Sequence, residues 1–327
     1  MNRPPSLHDV VTAHRRLRGR IRETSIEHSP MLSAQTGTEL LLKWENQQLT
    51  GSFKVRGALN TVDALSPEQR NRGVVTASSG NHAQGLSWAA SAQGVPATIV
   101  VPENTPETKK AGARGLGADL IVHGDSYDDA EAHAWRLAEE RGAVYVHSYD
   151  DPRIIAGQGT VALEALLEVP DLDAIVVPVG GGGLISGIAV AAKAINPDIE
   201  IIGVQPEVSA KFRASYEAGH RVEVPYRSSW ADGLPGDIGT LNLEIVLRLV
   251  DGFVSVREDS IADAVAWLAE HHRQMVEGSG AVGVAAFRHE LLGRLHGKKV
   301  LTVITGGNID ADRFAEFLGR RPHGSAI

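Results

Sequence analysis

Cysteine is absent from the 327 residues. That excludes disulfides, thiolate nucleophiles, iron–sulfur clusters and zinc sites built on Cys. It fits a reducing compartment, and a cytoplasmic location is expected. Positive charge is in deficit: 32 Lys and Arg stand against 40 Asp and Glu, a formal net charge of −8. A chain of this balance is not built to neutralise a phosphate backbone, so no nucleic-acid partner is expected. The first twenty residues lack a continuous apolar run, so no secretion leader is expected. The longest charge-free stretch, residues 174–192, is broken by Pro178 and by Gly180, Gly181, Gly182 and Gly183. A helix in lipid tolerates such breaks poorly without partners, so the stretch reads as strand, loop and helix and no membrane contact is expected. The GxSxG elbow and the HExxH helix are both missing. His271 and His272 are adjacent and point to different helix faces, while His289 and His296 are too far apart to share a metal unaided. No metal site is expected, and the His residues read mostly as surface or capping groups.

The chain is long enough for roughly two domains of ~150 residues. Its 43% hydrophobic and 22% charged residues are those of an ordinary globular protein. Short β-branched runs at 74–76, 97–102, 120–122, 144–147, 175–179, 199–204, 253–256 and 300–304 alternate with amphipathic segments. One such segment, 127–140, has Ser126 as N-cap, Asp129 at the capping-box position and Gly142 as a stop. Another, 260–272, pairs Ser260 with Asp263 in the same spacing. Alternation of this length predicts an α/β fold, with parallel sheets flanked by helices. No Pro/Ser-rich spacer, repeat or charge run separates two halves, which suits one domain inserted in another. Only the tail after Gly319 reads as loose.

Ligands of open parallel sheets bind beyond the carboxyl ends of the strands. Three strand ends here are glycine-rich. After 175–179 comes GGGGL, Gly180, Gly181, Gly182, Gly183 and Leu184, opening a helix. Backbone N–H groups freed of Cβ obstruction, beside a helix N-terminus, suit a phosphate. The loop has no Walker lysine and does not match GxGxxG, which points to a phosphate held by backbone alone rather than a magnesium nucleotide. A tight turn with close helix packing is the plainer alternative. After 74–76 comes ASSGNHAQG, in which Ser78, Ser79, Asn81 and His82 gather hydroxyl, amide and imidazole around a second helix start. The cluster suits a carboxylate, and equally an elaborate N-cap. After 300–304 comes TGGNID, with Thr305 ahead of Gly306 and Gly307; alone this is a turn. A fourth segment, TGSFKVRG, sets Lys54 between Phe53 and Val55 near a helix start. Apolar surroundings and a helix N-terminus turn a lysine into a nucleophilic amine, although a surface position is the usual fate of a lone Lys.

In this order the segments resemble the fold-type II pyridoxal-phosphate enzymes, in the branch of threonine/serine dehydratases and serine racemase. The resemblance covers nearly the whole chain. KWENQQLTGSFKVRGA is similar to the Schiff-base motif, with Lys54 at the lysine position. SSGNHAQG resembles the loop that binds substrate carboxylate and cofactor O3′, with Asn81 at the O3′ position. GGGGL resembles the phosphate cradle. ADGL at 231–234 and VEGSGAVG at 276–283 match later landmarks. TGGN sets Thr305 where the family has a hydroxyl or thiol beside the pyridine nitrogen.

The resemblance implies two parallel-sheet domains of the tryptophan synthase β type. Residues 1–66 and 148–327 form the larger and 67–147 the smaller, inserted one. It implies pyridoxal 5′-phosphate on Lys54, held also by Phe53, Asn81, the 180–184 loop and Thr305. It implies a small amino-acid substrate bound by Ser78, Ser79, Asn81 and His82, and a homodimer or higher homo-oligomer. Catalysis would fall to Lys54 as base and to Ser79 on the opposite face. The expected activity is ammonia release from a 3-hydroxy amino acid such as L-threonine, L-serine or a hydroxyaspartate. Amino-acid racemisation is the alternative. There are departures. Where the family has Glu-Pro this chain has Glu277-Gly278, which is expected to loosen a turn near the site. At the positions of the racemase branch's divalent-cation ligands stand Gln205 and Lys211, with Glu207 nearby. The absence of a C-terminal regulatory extension resembles the short, catabolic form.

Overall fold

In a computed structural model, residues 3–320 are described. Ten strands form among them: β1 (Ile26–His28), β2 (Glu39–Lys43), β3 (Val74–Ala77), β4 (Ala97–Val101), β5 (Asp119–Val122), β6 (Val144–Tyr145), β7 (Ala174–Pro178), β8 (Glu200–Pro206), β9 (Gly252–Val256) and β10 (Lys299–Val303). They build two sheets. One has six strands in the order β1-β2-β10-β7-β8-β9, and the other has four in the order β5-β4-β3-β6. Every pairing is parallel except β1 with β2, which is antiparallel. All strands of the four-stranded sheet come from the middle of the sequence, between the two stretches that supply the six-stranded one.

The eight β-branched runs all appear as strands, with ends that agree to within two residues. β1 and β2 lie outside them. β1 is three residues long and largely exposed, and β2, ELLLK, is a continuous run with no alternation. Central parallel strands are buried on both faces and lose the period of two, as in AIVVP of β7, where all five residues are buried. Two apolar layers cover the six-stranded sheet. Helix Pro152–Glu168 and helix Gly183–Ile195 pack on one side. Helix Glu258–His272 and helix Gly278–Arg288 pack on the other. Separate clusters line the four-stranded sheet.

Helix Tyr127–Arg141 has the expected capping box, Ser126 with Asp129, and ends on Gly142 at φ 60°. Ser260 does not cap its helix. That helix begins at Glu258, with Arg257 at the N-cap position, and Ser260 is its third residue, buried in the first turn. Glu258 is drawn into the first turn because its carboxylate accepts from the Ser229 hydroxyl at 2.7 Å and the Trp230 N–H at 2.6 Å. The 174–192 stretch is β7, a turn and a helix, and no described helix is long and apolar enough to cross a membrane. The loose tail lies, from residue 321, outside the described residues.

Candidate active site

Loops leaving the carboxyl ends of β3, β6, β7 and β10 converge with the start of helix Lys54–Asp63. Lys54 is the first residue of that helix and Phe53 its N-cap. The Phe53 N–H donates to the Thr305 carbonyl at 3.1 Å, and Ser52 bridges to Gly306. The lysine is thereby pinned to the end of β10. Its amine donates to the Ser148 carbonyl at 2.9 Å, just past β6, and lies 5.4 Å from the centre of the Phe53 ring. Helix Asn81–Ser91 crosses so near that a Cβ on Gly85 would stand 3.1 Å from the Lys54 backbone. Burial pushes the Lys54 amine down to about 8, against an opposing pull from Glu277.

Asn81 opens its helix and joins three segments. Its amide donates to Glu277 Oε1 at 2.7 Å and accepts from Asn308 Nδ2 at 2.7 Å, while Asn308 also donates to the Thr50 carbonyl at 2.8 Å. Glu277 is buried. Burial, then the charge of Asp232, pushes its carboxyl up to about 8.

Ser78 Oγ accepts from the N–H groups of Gly80 and Ala83, each at 3.3 Å. Its oxygen therefore supports the helix start, and its O–H is left to donate to a carboxylate. Ser79 is half-buried, and no described group binds its hydroxyl. His82 is not a surface residue. Its ring is buried with Nε2 3.2 Å from the Val146 carbonyl and Nδ1 without a partner. Burial, then Lys54, pushes it down to about 3, so it is neutral.

The 180–184 loop is built around close approaches. A Cβ on Gly181 would stand 2.5 Å from the Tyr149 ring, and one on Gly183 3.0 Å from the Tyr149 carbonyl. Gly182 is left-handed at φ 98°, and a Cβ there would meet Phe212 at 2.4 Å. A Cβ on Gly180 would stand 3.0 Å from the Gly233 carbonyl, which brings in the ADGL segment. Helix Gly183–Ile195 then points its N-terminus at the loop, with Leu184 buried behind it. Such a cradle of free N–H groups fits a phosphate, and the desolvated Lys54 amine fits an aldehyde. Thr305 is buried, and its carbonyl accepts from the N–H of Phe53, one peptide bond from the lysine.

Glu277-Gly278 is not a loose turn. A Cβ on Gly278 would stand 2.1 Å from the Trp230 carbonyl, and one on Gly280 2.7 Å from the Gly306 carbonyl. Glycine here permits tight packing of helix Gly278–Arg288 against both loops. Gln205 is taken up by the Val179 carbonyl and the Arg213 N–H, and Lys211 by Glu223 and Asp237. Among the described residues no group of three or more His, Asp or Glu is set to hold a metal.

The sequence pattern of the family described as "Pyridoxal-phosphate dependent enzyme" matches residues 17–306. The chain belongs to that family. Its cofactor is pyridoxal phosphate, and its fold is that of the fold-type II members. It is 46% identical over 319 residues to an L-threonine ammonia-lyase of Thermotoga maritima, covering 96% of this chain and 78% of that one. It is 38% identical over 327 residues to an L-threo-3-hydroxyaspartate ammonia-lyase of Saccharomyces cerevisiae, covering 99% of both. The structure of maize serine racemase superposes with a TM-score of 0.92 at 37% identity over 97% of each chain.

Within this family member, sequence reasoning missed Ser148, Tyr149 and Asn308 and treated Glu277 only as a landmark. Asn308 and Glu277 lie inside motifs, TGGN and VEGSGAVG, whose polar members were a signal. Ser148 contributes a backbone carbonyl, which any residue supplies.

Proposed function

We propose that this chain is a pyridoxal-phosphate-dependent carbon–oxygen lyase that converts L-threonine or L-serine to a 2-keto acid and ammonia. The observation that carries the reading is the Lys54 amine: desolvated, held at 2.9 Å on the Ser148 carbonyl, and pushed down to about 8. A neutral amine at this position would hold the cofactor through its aldehyde and, once released, would serve as a base at ordinary pH. When bound, the cofactor supplies the electron sink for the pair left at Cα. The backbone amides of 180–184 and the helix behind them hold its phosphate. Asn81, fixed by Glu277 and Asn308, and Phe53, beside the Lys54 amine, would help to hold the cofactor. The loop of Ser78, Ser79, Asn81 and His82 orients the substrate carboxylate so that the Cα–H bond faces Lys54. Lys54 Nζ would take that proton and pass one to the departing β-hydroxyl, which would leave as water; the enamine so formed would take up a second water to give the 2-keto acid and ammonia. Thr305 offers a hydroxyl where a carboxylate would keep the ring nitrogen protonated, which favours prompt loss of the β-hydroxyl.

We assign the smaller inserted domain to 67–147, a span that contains all four strands of the second sheet. The enzyme is read as cytoplasmic and as a homodimer or higher homo-oligomer. The test is the visible absorption spectrum before and after borohydride reduction, with mass mapping of the labelled peptide. A band that becomes fixed on Lys54 is expected. No band after adding pyridoxal phosphate overturns the reading.

A second reading, racemisation, is favoured by the unengaged Ser79 hydroxyl, which can return a proton to the face opposite Lys54. Ser79→Ala separates the two: elimination persists while racemisation falls.

A further inference from the structure

Between helix Lys211–Ala218 and helix Thr240–Leu249 the chain runs through residues 220–239 with neither helix nor strand. So long an irregular stretch in a compact domain keeps its place only where it is pinned. Its far end reaches the phosphate loop. The Gly239 N–H donates to the Gly181 carbonyl at 3.0 Å, and Asn242 Nδ2 donates to the same carbonyl at 3.2 Å. Two residues earlier in the loop, the Val179 carbonyl accepts from Gln205 Nε2 at 3.0 Å. In a planar trans peptide the carbonyl and the next N–H point in opposite directions. Tying back the carbonyls of Val179 and Gly181 therefore turns the N–H groups of Gly180 and Gly182 away from these partners, as a backbone phosphate cradle requires.

The pin is Lys211. Its Nζ donates to Glu223 Oε2 at 2.7 Å and to Asp237 Oδ1 at 2.8 Å, and Arg221 Nη2 donates to Asp237 Oδ2 at 2.6 Å. Lys211 is buried and is the first residue of its helix. A helix N-terminus disfavours a cation, so the two carboxylates, not the helix, account for the lysine. Phe212, the next residue, is fully buried and supplies the ring that a Cβ on Gly182 would meet. Asp237 stands two residues before Gly239. One ammonium thus joins the floor under Gly182 to the segment that holds the Gly181 carbonyl. These residues do not fit a divalent cation. The Gln205 oxygen accepts from the Arg213 N–H at 2.8 Å, and an ammonium already lies between the two carboxylates. Lys211 and Arg221 balance Glu223 and Asp237, so the group is neutral as it stands.

We propose that Lys211 is a positioning residue for the cofactor: its tethered ammonium does the pinning that a divalent ion would otherwise do, so cofactor affinity depends on Lys211 and not on added metal. The inference rests on reading 180–184 as the phosphate cradle. Without the ammonium, Glu223 and Asp237 lose their common partner, the 220–239 segment is released, and a net negative charge is left near a loop that must take an anion.

The experiment is equilibrium dialysis of pyridoxal phosphate against protein freed of cofactor. In Lys211→Gln the Kd is expected to rise about fivefold or more. Lys211→Arg, which returns a cation able to bind both carboxylates, stays within about twofold of the parent. Lys193→Gln breaks a comparable pair, with Asp251 at 2.9 Å, at the far end of helix Gly183–Ile195. It leaves the Kd within about twofold, because a pair that distant acts independently. In the parent, EDTA, magnesium and calcium leave the Kd unchanged. An unchanged Kd in Lys211→Gln, an equal rise in Lys211→Arg or Lys193→Gln, or a parent weakened by EDTA and restored by magnesium overturns the proposal. If Lys211→Gln does not fold, Asp237→Asn, which removes one of the two charges that the ammonium holds, is read by the same measure and decides. Gly182→Ala separates this inference from the reading beneath it. If Gly182→Ala weakens cofactor binding and Lys211→Gln does not, the inference alone fails. If Gly182→Ala binds cofactor like the parent, the cradle reading fails, and this inference with it.

Discussion

The amine of Lys54 donates a 2.9 Å hydrogen bond to the carbonyl of Ser148, a residue 94 positions further along the chain. Ser148 follows β6, at the edge of the four-stranded sheet, while Lys54 follows a segment tied to the end of β10 in the six-stranded one. The amine is thus set where the two sheets meet, and burial there, not a neighbouring cation, depresses its proton affinity.

Cofactor loading should therefore follow an unusual pH dependence. At pH 7 an amine of pKa about 8 is neutral about 300-fold more often than one at 10.5. The rate at which pyridoxal phosphate forms its absorption band with cofactor-free protein should rise with pH and level off just above 8. A rate still climbing at pH 10 would show an ordinary, exposed lysine.

The glycine loop makes a second demand. Gly182 has φ 98°, and Cβ there meets Phe212 at 2.4 Å. Gly182→Ala meets a backbone cost of about 1–2 kcal/mol in addition to that clash. Cofactor affinity, measured by equilibrium dialysis, should fall tenfold or more. Gly219→Ala makes the useful control. It is also left-handed, at φ 73°, but has nothing within 4 Å and lies away from the loop. It should cost stability and leave cofactor affinity alone.

Why some of this could be read from sequence follows from the same physics. Close backbone approach requires glycine, so Gly180, Gly181, Gly182 and Gly183 mark themselves. Buried parallel strands require β-branched runs, so β3 to β10 are visible, whereas β1 is too short and exposed to carry a pattern. Ser260 misled because a capping box is only a spacing; Glu258 had stronger partners in Ser229 and Trp230. The Ser148 carbonyl has no local signature, since its significance comes from tertiary contact. Ser78 shows the opposite limit: its hydroxyl accepts from the Gly80 and Ala83 N–H groups at 3.3 Å and keeps its O–H to donate to a carboxylate, so the two readings are compatible and residue type alone does not separate them.

A buried ionic cluster lies two residues beyond the lysine. Arg56 binds Glu45 through Nε and Nη2, each at 2.7 Å, and Glu164 through Nη1 at 2.6 Å and Nη2 at 2.8 Å, while Lys43 meets Glu164 at 2.9 Å. All four side chains are nearly or fully out of solvent. Removing one partner strands charge in the interior. Arg56→Met should cost about 3–5 kcal/mol in urea unfolding. Arg56→Lys should recover only part of this, because a point charge cannot replace a guanidinium that binds two carboxylates. A loss below 1 kcal/mol for Arg56→Met would show that the cluster relaxes.

Glu277 and Lys54 bear opposite perturbations, and their stability effects have opposite signs. Glu277 is pushed up from 4.5 to about 8, so its neutral form is favoured in the folded state. Its contribution is full below pH 4.5 and is lost as pH rises through 8. Lys54 is pushed down from 10.5 to about 8, so the folded state binds fewer protons there than the unfolded chain does. Stability from this source therefore rises between pH 8 and 10.5. The thermal midpoint of cofactor-free protein should sag near pH 8 relative to either side. Glu277→Gln, an isosteric copy of the neutral carboxyl, should remove the falling limb below pH 8 and leave the rise above it. Lys54→Met should do the reverse. The comparison requires matched ionic strength, since salt screens surface pairs such as Lys109–Asp232. Parallel pH profiles for the parent and Glu277→Gln would mean that Glu277 is ionised throughout. The Asn81 amide would then be donating to a carboxylate, and Glu277 would hold it in place by charge rather than by shape.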